Sequence, residues 1–158
     1  MKTSFYIVIL TILLIGCQKQ INVKTVDVEK EKGLIKNVLD QYITSIESED
    51  MQLYSEIMSH DSSMVNFGAF GDPVVGWENV KKVIEGQNES LTDTKIEQCN
   101  VDIHVSPSGK FAWATSLWNF KANMGEQKLE LPVRCSWVLE KGKNNWIIVH
   151  WHKSVAAG

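Results

Sequence analysis

Residues 95–154 read KIEQCNVDIHVSPSGKFAWATSLWNFKANMGEQKLELPVRCSWVLEKGKNNWIIVHWHKS and carry most of the architectural information in the chain. They divide into four runs in which apolar and polar residues alternate, the period of a strand. Ser106-Pro107-Ser108-Gly109 separates 95–105 from 110–123, and Met124-Gly125-Glu126 separates that run from 127–140. Lys141-Gly142-Lys143-Asn144-Asn145 leads into the last run, 146–154. Connections this short predict an antiparallel meander, because parallel strands need crossovers of a dozen or more residues.

Upstream the period changes. Leu34, Ile35, Val38, Leu39, Tyr42, Ile43 and Ile46 recur at spacings of three and four, which predicts an amphipathic helix. Asp50 is placed to cap a second, shorter helix carrying Met51, Leu53, Tyr54, Ile57 and Met58. Ser59-His60-Asp61-Ser62-Ser63 is a turn cluster, followed by a short strand over 64–67 and a hairpin-type connection to Val74-Val75. A third helix over 77–89 should turn Trp77, Val80, Val83 and Ile84 inward. Helices first and a meander last predict an α+β domain over 33–158, three helices packed on a strongly curved, mainly antiparallel sheet. Such a sheet closed by helices makes a cone with a natural cavity. Cys99 and Cys135 fall on strands with another between them, about 10 Å apart, too far for a disulfide. Two buried free thiols are expected instead.

The start of the chain is an address. Met1 and Lys2 give a positive start, and the apolar run from Phe5 to Ile15 is too short for a bilayer core that needs about 20 helical residues. It fits the apolar core of a signal peptide. Leu14-Ile15-Gly16-Cys17 resembles the bacterial lipobox, in which a small residue precedes a cysteine that receives a diacylglyceryl group. That resemblance implies a signal peptide over 1–16, lipidation of Cys17, and an exported protein lipid-anchored to a bacterial membrane, periplasmic or at the cell surface. Residues 17–32 are rich in Lys and Glu and read as a flexible tether.

The 158 residues suit one domain, and 44% hydrophobic with 22% charged residues is the profile of a folded globule. A net charge of −3 offers no basic surplus to neutralise phosphates, which argues against a nucleic-acid partner. No Gly-rich phosphate loop, CxxC pair or Gly-x-Ser-x-Gly elbow is present, and no cofactor is implied. Ser59-His60-Asp61 is contiguous and lacks the spatial arrangement of a triad. His150 and His152 share a strand face, as do Asp102 and His104, but two strands separate the pairs by about 14 Å, so no metal site within one chain is expected.

The order of elements and several local motifs resemble the nuclear transport factor 2-like superfamily, specifically its SnoaL-like branch, over about 34–154. The pieces are the first helix with Tyr42 and then Asp50, Gly76-Trp77-Glu78 at the third helix, and the closing Trp146-Ile147-Ile148-Val149-His150-Trp151-His152-Lys153-Ser154. That ending is similar to the last hairpin of the calcium/calmodulin-dependent protein kinase association domain. The resemblance implies a cone-like α+β fold, commonly dimeric, whose members include isomerases, dehydratases, hydrolases and non-catalytic binders. Tyr42 falls where the ketosteroid isomerases carry an oxyanion-hole tyrosine. Their general-base aspartate falls at Asn66, which has no titratable carboxylate.

In the kinase association domain a pocket arginine stands at the position of Lys153, which implies that Ile147, Val149, Trp151 and Lys153 face inward. With Leu129, Leu131, Val133, Cys135, Trp137 and Leu139 as the apolar face of the preceding strand, and Phe111, Trp113, Thr115 and Leu117 facing in before that, the expected pocket comprises Tyr42, Asn66, Trp113, Thr115, Trp137, Trp151 and Lys153. A one-residue slip exchanges the inner and outer sets. Trp118, Phe120, Trp146, Ile148 and His150 are then left outside as the surface of a homodimer. The expected function is binding of a small, largely apolar or weakly anionic ligand in a Trp-lined pocket by an anchored, non-catalytic lipoprotein. The alternatives are an isomerase, dehydratase or hydrolase using Tyr42 with Asp61 or a histidine, and a dimeric interaction module.

Overall fold

The computed structural model describes residues 25–156. The expected signal peptide, the Cys17 lipidation site and the first part of the tether lie outside them. The elements are α1 (Val28–Glu47), α2 (Met51–Ile57), β1 (Val65–Asn66), β2 (Val74–Val75), α3 (Trp77–Ser90), β3 (Thr92–Val105), β4 (Phe111–Met124), β5 (Gln127–Lys141) and β6 (Trp146–Val155). The last four form one antiparallel sheet in the order β3-β4-β5-β6, and β1 pairs with β2 in a separate ribbon. The fold is α+β, with helices on one face of a curved meander.

Helix α1 begins within the stretch expected to be tether. Asp27 caps it by accepting from the Lys30 amide at 3.1 Å, and one turn in, Glu31 is buried. The Glu31 carboxylate accepts from Lys141 Nζ and from Trp146 Nε1, the latter at 2.8 Å. These donors, led by Lys141, hold its carboxyl below the usual range against the opposing effect of burial. A polar run therefore contains the residue that fastens α1 across the β5–β6 turn. At the other end of α1, Glu49 adopts φ 57° and the Asp50 amide donates to Ser45 O at 2.9 Å, closing the helix and turning the chain into α2. Asp50 then accepts from the Leu53 amide at 2.9 Å, the cap that its position predicts. Gly76 starts α3 at φ 80°, where a Cβ would lie 2.8 Å from the Ser62 carbonyl oxygen.

Three one-residue insertions curve the sheet. In β3 the register shifts between Thr92 and Lys95 and again between Cys99 and Asp102, and Asp93 and Asn100 there take φ 53° and 52°. Asn and Asp are the side chains that best tolerate this left-handed conformation. In β6 Leu139 pairs with Ile148 and Val138 with His150, so Val149 is the extra residue. Bulges bend strands and increase their local twist. The β6 edge is covered: the Ser59 amide donates to Ile148 O at 2.8 Å, the Phe67 amide to Trp151 O at 3.1 Å, and the Lys153 amide to Phe67 O at 2.9 Å.

Cys99 and Cys135 are both free, with β4 between their strands, but Cys99 is exposed and only Cys135 is buried. The expectation of two buried thiols is corrected at Cys99, where the second β3 bulge begins. Replacing Glu31→Ala leaves Trp146 Nε1 buried without an acceptor, which should cost about 1–3 kcal/mol in urea unfolding. An unchanged unfolding midpoint would show that the first turn of α1 adds nothing to the domain.

Candidate functional site

The inner face of the sheet combines large and very small side chains. On β4 the buried residues are Ala112, Ala114, Ser116, Trp118 and Ala122, and on β5 they are Val133, Cys135, Trp137 and Leu139. On β6 Trp146, Ile148 and Trp151 are all buried, and Lys153 is half-buried beyond them. Strict alternation cannot place 146, 148, 151 and 153 on one side; the bulge at Val149 does.

Several expected positions are corrected by this arrangement. Trp113 and Thr115 are exposed on the outer face, Trp113 stacking on His104 at 4.9 Å, so neither belongs to the pocket. Trp118, Trp146 and Ile148 are core residues and Phe120 is half-buried on the cavity wall, so they do not form an outer surface. Residues 147 and 149 are half-buried, and neither lines the cavity. His150 is half-buried, its Nδ1 against the Val65 carbonyl and its ring edge-on to Phe67. The register separates His104 from His150 by Trp113 and Val138, and Asp102 pairs with its own neighbour His104 at 2.8 Å. Asp61 is exposed; its carboxylate accepts from the Ser63 amide and hydroxyl at 2.7 and 2.8 Å, which holds its pKa down. It is a turn residue and is not positioned as Tyr42's catalytic partner.

The cone is filled in one half and hollow in the other. In the filled half Tyr42 packs edge-on to Trp137 at 4.8 Å and lies 5.3 Å from Tyr54, with Trp118 5.6 Å from Trp137. Trp137 Nε1 donates to Ser116 Oγ at 3.3 Å. Beyond Trp118 a cavity of about 260 Å³ opens, bounded by Val83, Ile84 and Gln87 of α3 and by Phe70 of the β1–β2 loop. Its sheet wall is Phe120, Leu129, Leu131 and Val133, and Trp151 and Lys153 of β6 complete it. Tyr42 and Asn66 stand behind this wall, and Trp137 belongs to the filled half.

Lys153 is the one charged side chain on that wall among the described residues. Its Nζ donates to the Tyr42 hydroxyl at 2.8 Å and lies 4.8, 4.9 and 4.6 Å from the ring centres of Tyr42, Trp118 and Trp151. No carboxylate among the described residues pairs with it. Burial of the ammonium lowers its pKa from 10.5 to about 8. Because the folded value lies below the unfolded one, the charged Lys153 opposes folding, the unfolded chain binds more protons between these limits, and that penalty is relieved as pH rises from 8 to 10.5. Burial raises the Tyr42 hydroxyl well above its ordinary value of 10, so it stays protonated at neutral pH.

Asn66 is fully buried, and its Oδ1 accepts from the Trp151 amide at 2.8 Å, pinning β1 to β6. Its Nδ2, Tyr54 Oη, Trp118 Nε1 and Trp151 Nε1 are buried without a partner. Two of these, the indole N–H groups of Trp118 and Trp151, belong to rings that flank Lys153.

A family model for a SnoaL-like domain matches residues 35–158, so the chain belongs to the SnoaL-like domain family. Among solved structures, an NTF2-like superfamily protein from Salmonella enterica is similar at TM-score 0.74 and 24% identity, covering 82% of this chain and 94% of that one. A ketosteroid isomerase-like protein from Erwinia carotovora matches at TM-score 0.68 and 17% identity, covering 82% and 98%. A dehydratase candidate of the NTF2-like family from Streptomyces avermitilis matches at TM-score 0.74 and 12% identity, covering 82% and 99%. At these identities the likeness establishes the fold, and the fold hosts several activities. No curated protein matches the chain significantly.

Sequence alternation missed Trp118 as a wall residue because over the first half of β4 the other face, with Phe111, Trp113 and Leu117, carries the bulkier apolar side chains. The usable signal was the Ala112-Ala114-Ser116 set, small side chains suited to the concave side beside Trp137. Trp118→Ala should cost about 3–5 kcal/mol of stability and Trp113→Ala well under half of that in the same urea titration. The reverse order would overturn the assignment of faces.

Proposed function

We propose that the domain binds a small, largely apolar ligand with an anionic end, without catalysing a reaction. The observation that carries this reading is Lys153, an ammonium on the wall of an apolar cavity with no carboxylate to pair with among the described residues. A ligand carboxylate supplies the missing counter-charge, and the hydrocarbon part displaces water from Ile84, Phe120, Leu131 and Val133. At 260 Å³ the cavity lies just under the roughly 300–1,000 Å³ of drug-sized sites, so the ligand is small. The non-catalytic part is supported by the cavity wall, where no Asp, Glu or His is found among the described residues, and by Asn66, whose carbonyl is engaged by a backbone amide.

Octanoate is a suitable probe, because Trp118 and Trp151 line the wall and report occupancy by fluorescence. Binding should weaken as pH rises through about 8, where Lys153 loses its proton. Lys153→Met should bind roughly ten- to a hundredfold more weakly and lose that pH dependence. Octanoate binding that is indifferent to both pH and Lys153 would sink the anionic-end assignment.

The rest of the chain supports two further parts of the proposal. The lipobox-like Leu14-Ile15-Gly16-Cys17 supports an exported protein held to a bacterial membrane by lipid on Cys17. The outer sheet face, with Trp113 50% and Leu117 42% exposed, supports a homodimer through these residues and not through Trp118 or Trp146. Native mass spectrometry of protein extracted from membranes tests both at once. The expected species has twice the chain mass and a lipid on each Cys17; an unmodified Cys17 overturns the anchor, and a monomer overturns the pairing.

A further inference from the structure

We propose that Lys153 is also a carbonyl-capturing amine, and that the cavity takes small apolar aldehydes, which it holds as an imine on Nζ. This rests on the cavity being the ligand site proposed above and adds a covalent mode of occupancy.

The placement of the amine carries the inference. A surface lysine is solvated and protonated, and a buried one is ordinarily paired with a carboxylate. Lys153 is neither: its Nζ opens on an apolar cavity, sits among three aromatic rings, and has the Tyr42 hydroxyl at 2.8 Å as its hydrogen-bond partner. Desolvation disfavours the ammonium, so a substantial share of the side chain is the neutral, nucleophilic amine just above neutral pH, its pKa lying at about 8. The three rings resist this by favouring the cation, but their attraction is a few kcal/mol at most and does not replace full hydration. The apolar walls hold a hydrocarbon chain with its terminal carbonyl towards Nζ.

The chemistry balances without an oxidant or reductant. The Nζ lone pair forms a bond to the carbonyl carbon, and the carbonyl oxygen takes a proton to give a carbinolamine. The C–O bond then breaks, the oxygen leaves as water with a second proton, and the nitrogen loses both of its amine protons to give C=N. Tyr42, protonated throughout this pH range, stands behind the wall with its hydroxyl on Nζ at 2.8 Å, where it can take up a proton that the nitrogen gives off. A cavity with few water-accessible polar groups slows the reverse hydrolysis.

The test uses the full-length chain with cinnamaldehyde and sodium cyanoborohydride, which reduces an imine to a stable secondary amine, followed by peptide mass mapping. At pH 7.5 the Lys153 peptide should be labelled at least about tenfold faster than any other lysine, with a half-maximal rate near pH 8. Lys153→Arg should abolish the fast adduct while retaining the native Trp fluorescence, and Tyr42→Phe should slow the reaction without removing it. Labelling spread over the lysines without preference for Lys153, or a fast adduct that persists in Lys153→Arg, overturns the proposal. Octanoate separates the two readings. If it binds while Lys153 stays unlabelled, only covalent capture fails; if neither compound occupies the cavity, the ligand site itself is refuted.

Discussion

One extra residue in the last strand, Val149, sets which side chains of β6 reach the core and which reach the cavity. A strand with perfect alternation presents every second side chain to the core, so Trp146 and Ile148 would exclude Trp151 and Lys153 from the same face. The bulge resets the alternation between Ile148 and His150. The first half of β6 then buries Trp146 against Glu31 of α1, and the second half brings Trp151 and Lys153 to the cavity. The same strand also receives the amide contacts of the segment from Ser59 to Phe67, so its irregular backbone is held from both sides. Core and site are therefore two consecutive stretches of a single strand, divided by its one insertion.

The filled half of the cone supports the open half. Tyr42, Tyr54, Trp118 and Trp137 pack as tilted and edge-on rings, a geometry that holds each ring by its neighbours and leaves their polar tips pointing at few partners. Tyr42 belongs to both halves: its ring is part of the packing and its hydroxyl holds Lys153. Desolvating an ammonium costs several kcal/mol, and a phenol hydrogen bond with cation–π contacts offsets only part of it. Lys153 is thus a local violation of the rule that buried charges are paired, in a structure that otherwise obeys it at Glu31 and Lys141. Violations of this kind concentrate at functional sites.

The similar folds include a ketosteroid isomerase-like protein and a dehydratase candidate, and on the cavity wall of this chain no Asp, Glu or His is found among the described residues. Asn66 does not face a ligand with a carboxylate; it bridges two strands through its carbonyl. Among the described residues the one titratable group on the wall is an amine, and the indole N–H groups of Trp118 and Trp151, whose rings flank it, have no acceptor. Function within this fold follows from such local substitutions and not from the architecture, which is shared.

Element order, the meander and the helix caps were legible in the sequence, because turns, caps and periodicities are local and depend on residues within a few positions of one another. Asp50, Gly76 and the three turns between 105 and 146 each announce themselves by residue type. Tertiary structure alone decided which side of each strand faces inward. Alternation defines two sets of residues without saying which is buried, and on β4 the concave side took Ala112, Ala114 and Ser116 while the bulkier Phe111, Trp113 and Leu117 stayed outside. The bulge at Val149 left no mark in the hydrophobic pattern, since Trp146 to Trp151 is apolar at nearly every position. Glu31 likewise reads as tether until α1 is packed against a turn 110 residues away. Faces, bulges and buried ion pairs arise from contacts between distant segments, and only the folded chain brings those segments together.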